Sequence, residues 1–308
     1  MKQEIIDIAK KYDADFVGFA PASRFDKDDN IFKIFPDTKT VITLGFRVLR
    51  GIYKGIEEGT TFYQYTTMGV ETLEETVMPL AMLGVCNVLE DNDFYAIPQK
   101  NNQLIMEEEN DTNPEMDYTD IMRGIKKEVQ VNFKDAAVKC GIGEMGFHGA
   151  VLTDEFGPFQ RFCCILTDAK IEGDDVKTPH LCDGCKECVK ACHGNAIDDN
   201  GKTDNWRCAV YYNGANRHKN PFMPPEAFSE FENRKEIIDG VAKFDIDGAK
   251  EIIDNIYFYP PAKQSYRTSI CGRACDRACY IHLEKKGVLT KKYAMPLRRG
   301  DDWYLDDK

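Results

Sequence analysis

The sequence has no apolar run long enough to cross a bilayer. Its longest apolar stretch, around Val77 to Leu89, is shorter than a span and is interrupted by Pro79 and Asn87. Nor does it begin like an exported chain. MKQEIIDIAKKYDADF places acids where a signal peptide needs an apolar run, and no twin arginine follows. These absences predict a cytoplasmic protein with no membrane partner. Positive charge is also scarce: 40 Lys and Arg stand against 52 Asp and Glu, a net charge of −12. Such a chain has little electrostatic drive toward phosphate backbones, which argues against a nucleic-acid partner. A convincing nicotinamide fingerprint is missing too. GIGEMG (141–146) has the glycines, but it follows a helical pattern instead of a strand.

What is present is a globular composition, with 43% hydrophobic and 30% charged residues over 308 positions. That is enough chain for one large or two ordinary domains. QEIIDIAKKY (3–12) has the apolar spacing of a short amphipathic helix. ADFVGFA (14–20) and TVITLGF (40–46) read as buried strands. Residues 71–91 read as a central helix that Pro79 kinks or restarts. FYAI (94–97) reads as a strand ended by Pro98, and a helix is expected around 121–140, followed by strands at 150–153 and 162–167. Strands and helices alternate to about residue 175, which predicts an α+β or α/β first domain, 1–175. From 176 onward cysteines, turns and helices dominate. A cluster domain is expected over 176–288, with a helical insert near 224–257 and a C-terminal arm at 289–308. Residues 107–120 hold seven acids and no base, which reads as a solvated loop or as a lid.

Twelve cysteines in a reducing compartment are not expected to form disulfides. Cys86, Cys140, Cys163 and Cys164 are scattered among apolar residues and read as small buried hydrophobes. The other eight fall between 182 and 279. Cys182, Cys185, Cys188 and Cys192 form C-x2-C-x2-C-x3-C. Three thiolates so spaced wrap one corner of a cubane, and the fourth reaches a second cluster in two-cluster ferredoxins. Cys271, Cys275 and Cys279, with the isolated Cys208, complete the eight thiolates that two [4Fe–4S] clusters need. The crossing rule assigns Cys182, Cys185, Cys188 and Cys279 to one cluster, and Cys192, Cys208, Cys271 and Cys275 to the other. Structural zinc is the alternative, since C-x2-C pairs also suit it. C-x3-C-x3-C on one helix would set three sulfurs along a single face. His193 stands where a proline usually follows the fourth cysteine, either filling a turn or donating to a cluster sulfur.

The run AAVKCGIGEMGFHGAVLTDEFGPFQRFCCILTD (136–168), the four-cysteine burst and WRCAVYYN together resemble the epoxyqueuosine reductases and their relatives, the reductive dehalogenases. YDADFVGFAPASRF and FPDTKTVITLGFRV resemble the start of the same family, while 50–130 matches poorly. The resemblance implies a nitroreductase-like domain that binds cobalamin, followed by a ferredoxin-like domain with two [4Fe–4S] clusters feeding electrons to the corrinoid. Carried over by position, Gly141, Gly143, Gly146, His148, Gly149, Thr153, Glu155, Phe156 and Gly157 would lie near the corrin or its tail. Glycine permits the close backbone approach that a flat macrocycle needs.

The family's acidic D-S-A-P motif is missing; VNFKDAAVK, with Lys134 and Asp135, stands there. The dehalogenases use a tyrosine as proton donor, which makes Tyr63 and Tyr65 the catalytic candidates by type. The implied function is a cobalamin-dependent reductase of a small molecule, fed by a low-potential donor such as a ferredoxin or flavodoxin. The alternatives are an electron-transfer protein that activates a partner corrinoid protein, a flavin-dependent reductase, and a tRNA epoxyqueuosine reductase, against which the acidic charge weighs.

Overall fold

The computed structural model describes residues 1–100, 130–258 and 267–306. The acidic segment 107–120 and the start of the helix expected near 121–140 lie outside the described residues. The chain divides into two compact units of interleaved segments. One takes Met1–Phe46, Glu74–Gly143 and Arg161–Thr178; the other takes Arg47–Leu73, Glu144–Gln160 and Pro179–Lys308. One break thus falls close to residue 175, while 47–73 and 144–160 join the cysteine-rich unit.

The early elements are α1 (Lys2–Lys11), β1 (Phe16–Pro21), α2 (Asn30–Ile34), β2 (Thr40–Arg47), α3 (Arg50–Glu57), α4 (Tyr63–Thr66), α5 (Met78–Glu90) and β3 (Ala96–Gln99). Later strands are β4 (Glu144–Met145), β5 (Val151–Leu152) and β6 (Gln160–Thr167). The main sheet is open, with strand order β1-β2-β6-β3. β1 runs antiparallel to β2 with Gly18 opposite Thr43, and β3 antiparallel to β6 with Ala96 opposite Thr167. The architecture is mixed α and β, as the alternating patterns predict.

β2 is buried along nearly its whole length, the mark of a strand covered on both faces. In the sheet unit α1 packs on α5, with Ile5 and Ala9 meeting a helix that buries Ala81, Val85 and Leu89. Pro98 lies inside β3 instead of ending it. β3 is the last strand of the order, and an edge strand tolerates a residue that cannot donate to a ladder.

The helix expected over 71–91 is longer, continuous from Tyr63 to Glu90. Its middle, Thr67–Val77, is a π-helix, and Pro79, which has no N–H to donate, lies just past the point where the π-helix gives way to α5. This 28-residue helix is long and apolar enough to cross a membrane by length and composition, which the sequence reading did not anticipate; 44% of its most apolar window is buried. Core helices pass the same criterion.

The second unit is mainly helical, with the β4–β5 pair as its regular strand ladder among the described residues. Its main core is built on a stack of three rings. Tyr53 and Phe159 lie 3.9 Å apart between centroids, and Phe159 and Tyr280 4.3 Å apart. A second apolar cluster joins Val210 and Tyr211 to Met223, Phe228, Ile237, Ile252 and Ile256, so the region near 224–257 has a core of its own. Within the helical insert expected near 224–257, the helices are Arg234–Ile238 and Ile246–Asp254, and Pro224 and Pro225 open the stretch ahead of them as turns. In the C-terminal segment Leu297 is fully buried and Trp303 donates to the Ile56 carbonyl at 2.7 Å.

Candidate metal centre

The eight cysteines sort into two groups of four. Cys182, Cys185, Cys188 and Cys279 line one cavity with Phe147, His148 and His282. Left-handed backbone brings the first three together. Gly184 (φ +71°) and Lys186 (φ +60°) curl the chain between successive cysteines, and the Asp183 carboxylate accepts the Cys185 N–H at 3.2 Å. The Phe147 N–H points at Cys182 Sγ, 3.3 Å away. Burial pushes the Cys188 thiol up to about 11, and Cys185 and Cys182 push it further in the same direction. Burial, Asp276 and then the other three thiols of this group all raise Cys279.

Cys192, Cys208, Cys271 and Cys275 form the other group. Burial pushes Cys271 up to about 12, with Cys208 and Cys192 adding to it. Cys275 is raised by burial, then by Asp276, Cys271 and Cys208. Cys208 rides on the helix Asn205–Tyr212, whose N-terminus Asp204 caps by accepting the Arg207 N–H at 2.9 Å. The Ala196 and Ala274 N–H groups point at Cys192 Sγ (3.2 Å) and Cys271 Sγ (3.4 Å).

One local expectation is corrected. The spacing C-x3-C-x3-C does not lie on a single helix. Gly272 (φ +50°) and Arg273 (φ +53°) are left-handed, and the helix Ala274–Lys286 starts only after them. Cys271 is thereby turned off the helical face, while Cys275 and Cys279 remain on it. That turn lets Cys271 and Cys275 join one group and leaves Cys279 to the other. Arg277, buried to 3% exposure, clamps the turn by donating to the Cys271 carbonyl (2.9 Å) and the Gly272 carbonyl (3.1 Å). Glu57 balances Arg277 and also accepts from Arg298.

Sequence reasoning missed two carboxylates. Glu144, 2% exposed, accepts the backbone N–H groups of His180 (2.5 Å), Leu181 (3.0 Å) and Cys182 (2.8 Å), and so fixes the chain entering the first cysteine burst. It is the acid of GIGEMG, a segment read for its glycines. Asp276 lies between Cys275 and the His148 ring. It accepts from Arg273 at 2.8 Å and lies 2.9 Å from His148 Nε2. Burial alone would raise its carboxyl; Arg273 and His148 outweigh that and hold it well below the usual carboxylate range.

The residues carried over for the corrin have varied settings. Gly141 (φ +74°) and the buried Gly143 belong to the sheet unit, and a side chain on Gly141 would strike the Asp175 carbonyl at 2.2 Å. Gly146 packs on the Ala150 carbonyl, and Gly149 (φ +72°) faces open space. Thr153 caps a turn, accepting from the Phe156 N–H at 3.3 Å, and its backbone bridges Gly157. Glu155 is half-buried, and Phe156 lines a cavity with Arg47 and Arg50. Tyr65 is 2% exposed and packs on Tyr53; Tyr63 is half-buried. His193 is buried with Nδ1 unpartnered. Burial and then Arg277 and Lys219 lower its pKa to about 3, so the ring is neutral at ordinary pH.

The chain is thus a mixed α and β protein that carries two groups of four cysteines. No protein-family model matches the chain. Its sequence is nevertheless similar to epoxyqueuosine reductases and reductive dehalogenases, the two groups that the motifs resemble. It is 30% identical over 81 residues to an epoxyqueuosine reductase of Prochlorococcus marinus, covering 26% of each chain. It is 36% identical over 64 residues to a tetrachloroethene reductive dehalogenase of Desulfitobacterium hafniense, covering 20% of this chain and 12% of that one. The matches therefore span 26% or less of the length of these two relatives. Among solved structures, an epoxyqueuosine reductase from Bacillus subtilis aligns over 93% of this chain and 82% of its own, with 14% identity and a TM-score of 0.44.

Proposed function

We propose that this protein is an iron–sulfur reductase with two four-iron clusters that works with a corrinoid to reduce a small molecule. One cluster is held by Cys182, Cys185, Cys188 and Cys279, the other by Cys192, Cys208, Cys271 and Cys275. The sorting of eight cysteines into two groups of four carries this reading, because four thiolates are the donor set of a cubane. Backbone N–H groups aimed at Cys182, Cys192 and Cys271 suit sulfur that carries negative charge. A ligating cysteine is a thiolate, so a metal cluster would discharge the cost that burial places on ionising these thiols.

The clusters would supply one-electron transfer, and the corrinoid a strongly reducing metal. This chain's residues hold and insulate them. Glu144 fixes the first burst, and Arg277 with Glu57 fixes the turn that presents Cys271. Cys182 is exposed, which suits electron entry from a ferredoxin or flavodoxin. For the corrinoid, the open space at Gly149 permits close backbone approach. His148 is committed to Asp276 and is not offered as a cobalt ligand. Tyr63, half-buried, is better placed than the buried Tyr65 to deliver a proton to a substrate. The acidic balance of the chain favours a small substrate over tRNA. The exposure of Cys182 also favours a second reading, a chain that hands electrons to a separate corrinoid protein.

Anaerobic purification followed by iron and sulfide analysis tests the core of the proposal. About eight irons and eight sulfides per chain are expected, and a zinc-only protein would end it. The cluster-loaded protein is then mixed with cobalamin and gel-filtered. Retained corrinoid supports the reductase. Corrinoid recovered only as a complex with an added corrinoid protein favours the transfer reading, and flavin released on denaturation favours flavin chemistry.

A further inference from the structure

Residues 285–300 read KKGVLTKKYAMPLRRG: six bases and no acid, in a chain whose net charge is −12. Lys285 and Lys286 close the helix Ala274–Lys286, and Gly287 (φ +72°) turns the chain off it. The negative end of a helix favours cations in its last turn, which accounts for these two lysines. It does not account for Lys291, Lys292 and Arg299, which follow the helix end and are exposed as well. Lys292 folds back to donate to the Gly287 carbonyl at 2.6 Å, so the two lysine pairs lie on one surface.

Much of this charge is uncompensated. Lys286 pairs with Asp183 at 2.8 Å, and Arg298 with Glu57. Among the described residues, Lys285 and Lys291 make no ion pair, Lys292 has only the Gly287 carbonyl, and Arg299 only the Met295 thioether, 2.9 Å away. Between the bases stand Tyr293 and Met295, both exposed. Tyr, Met and Arg are side chains that protein interfaces favour. Two features place this surface beside the first cysteine group. Lys285 follows Cys279 by six residues on one helix, about 9 Å along its axis. Asp183, the partner of Lys286, also accepts the Cys185 N–H at 3.2 Å and lies 3.0 Å from His282 Nε2. Asp183 and His282 line the cavity of that group, and Cys182 is exposed.

We infer that Lys285, Lys291, Lys292 and Arg299 form the docking surface for a small acidic protein that carries one electron. The charge selects an acidic partner. The exposed cysteine group beside it selects a redox protein over RNA, which has no electron to give. One electron leaves the carrier, which is oxidised, and enters the cluster held by Cys182, Cys185, Cys188 and Cys279, which is reduced; no bond forms or breaks. The inference rests on the proposed cluster at that group and adds where its donor docks and by what chemistry.

Stopped-flow mixing of the anaerobically purified holoprotein with a reduced, acidic plant-type [2Fe–2S] ferredoxin tests it. Oppositely charged faces steer encounter, so the rate constant should fall about tenfold between about 0.05 M and about 1 M salt. The triple variant Lys285→Gln, Lys291→Gln, Lys292→Gln should be about tenfold slower at the lower salt and equal to the parent at the higher, with the parent's iron content. Lys10→Gln with Lys11→Gln, which removes two exposed lysines of α1, should keep the parent's rate. Dithionite titration to completion counts the electrons that each protein accepts. A protein that accepts none overturns the cluster reading and this inference with it. Where dithionite reduces the protein, the inference alone falls on any of four results: no reduction by the ferredoxin, a parent rate insensitive to salt, a triple variant as fast as the parent at low salt, or a triple variant that loses affinity for bulk tRNA while its ferredoxin rate is unchanged.

Discussion

In the sheet unit, Cys140 and Cys164 share one hydroxyl, Thr43 Oγ1, at 3.3 Å from each sulfur, and Cys163 lies wholly buried between two apolar neighbours on β6. In the other unit the cysteines lie beside one another, with left-handed residues bending the chain round them and backbone N–H groups directed at three of the sulfurs. Burial raises thiol pKa in both places: Cys86 to about 11 and Cys140 to about 12 in the first, Cys188 to about 11 and Cys271 to about 12 in the second. Burial and acidity therefore do not distinguish a packing cysteine from a ligand. What distinguishes them is company. Thiols in fours, with donors already aimed at sulfur, are arranged for negative charge; thiols beside a threonine or an isoleucine are arranged to remain neutral.

The sharpest way to break this comparison is to remove one member of a group. Cys279→Ser is expected to lose about four of about eight irons per chain, since a four-iron cluster with three thiolates is poorly held. Iron and sulfide analysis with the electron paramagnetic resonance spectrum of the reduced protein reads the result. Full iron content in Cys279→Ser would dissolve the assignment of that cysteine. Glu144→Gln comes next. The carboxylate serves three backbone N–H groups ahead of Cys182. Its replacement should cost about 2–3 kcal/mol of stability, with iron lost faster to a chelator. Chelation kinetics equal to the parent's would show that Glu144 does not hold the burst. Cys164→Ala should leave iron untouched and cost about 1 kcal/mol in a denaturant melt. Iron loss in that variant would erase the distinction between the two kinds of cysteine.

The same contrast explains how far the sequence could be read. The C-x2-C-x2-C-x3-C burst is legible because its geometry is local: Gly184 and Lys186 turn the chain within the motif itself. The pairing of Cys271 with Cys275 could not be read from a C-x3-C-x3-C spacing, which on a continuous helix gives the wrong face; the helix start at Ala274 decides it. Glu144 escaped notice because a lone acid in a glycine-rich loop carries no spacing signal, and its partners lie more than thirty positions away. Strands β1, β2 and β6 were legible from apolar runs. The membership of 47–73 and 144–160 in the cysteine-rich unit was not, because an apolar pattern says that a segment is buried and does not say in which core.

The smallest expected effect concerns alkaline pH and the buried thiols of the sheet. Cys140 is 1% exposed, and burial, only partly offset by the Thr43 hydroxyl, pushes its pKa up to about 12. A group whose folded pKa is raised contributes stability fully below its unfolded value and loses it as pH climbs toward the folded one. For Cys140 that window runs upward from the unfolded thiol value, about 8.5, toward about 12, with a limiting slope of about 1.4 kcal/mol per pH unit. Cys140→Ala removes the titrating group and should flatten the alkaline limb relative to the parent, while Tyr280 and every other alkaline group cancel in the difference. Urea melts of the cluster-loaded proteins at pH 8, 9 and 10 measure it. Cysteines that ligate are thiolates already in the folded state and add no such loss. An unchanged difference between parent and variant across these three pH values would mean that Cys140 titrates in the fold as it does in the unfolded chain, and the neutral-cysteine side of the comparison would fall with it.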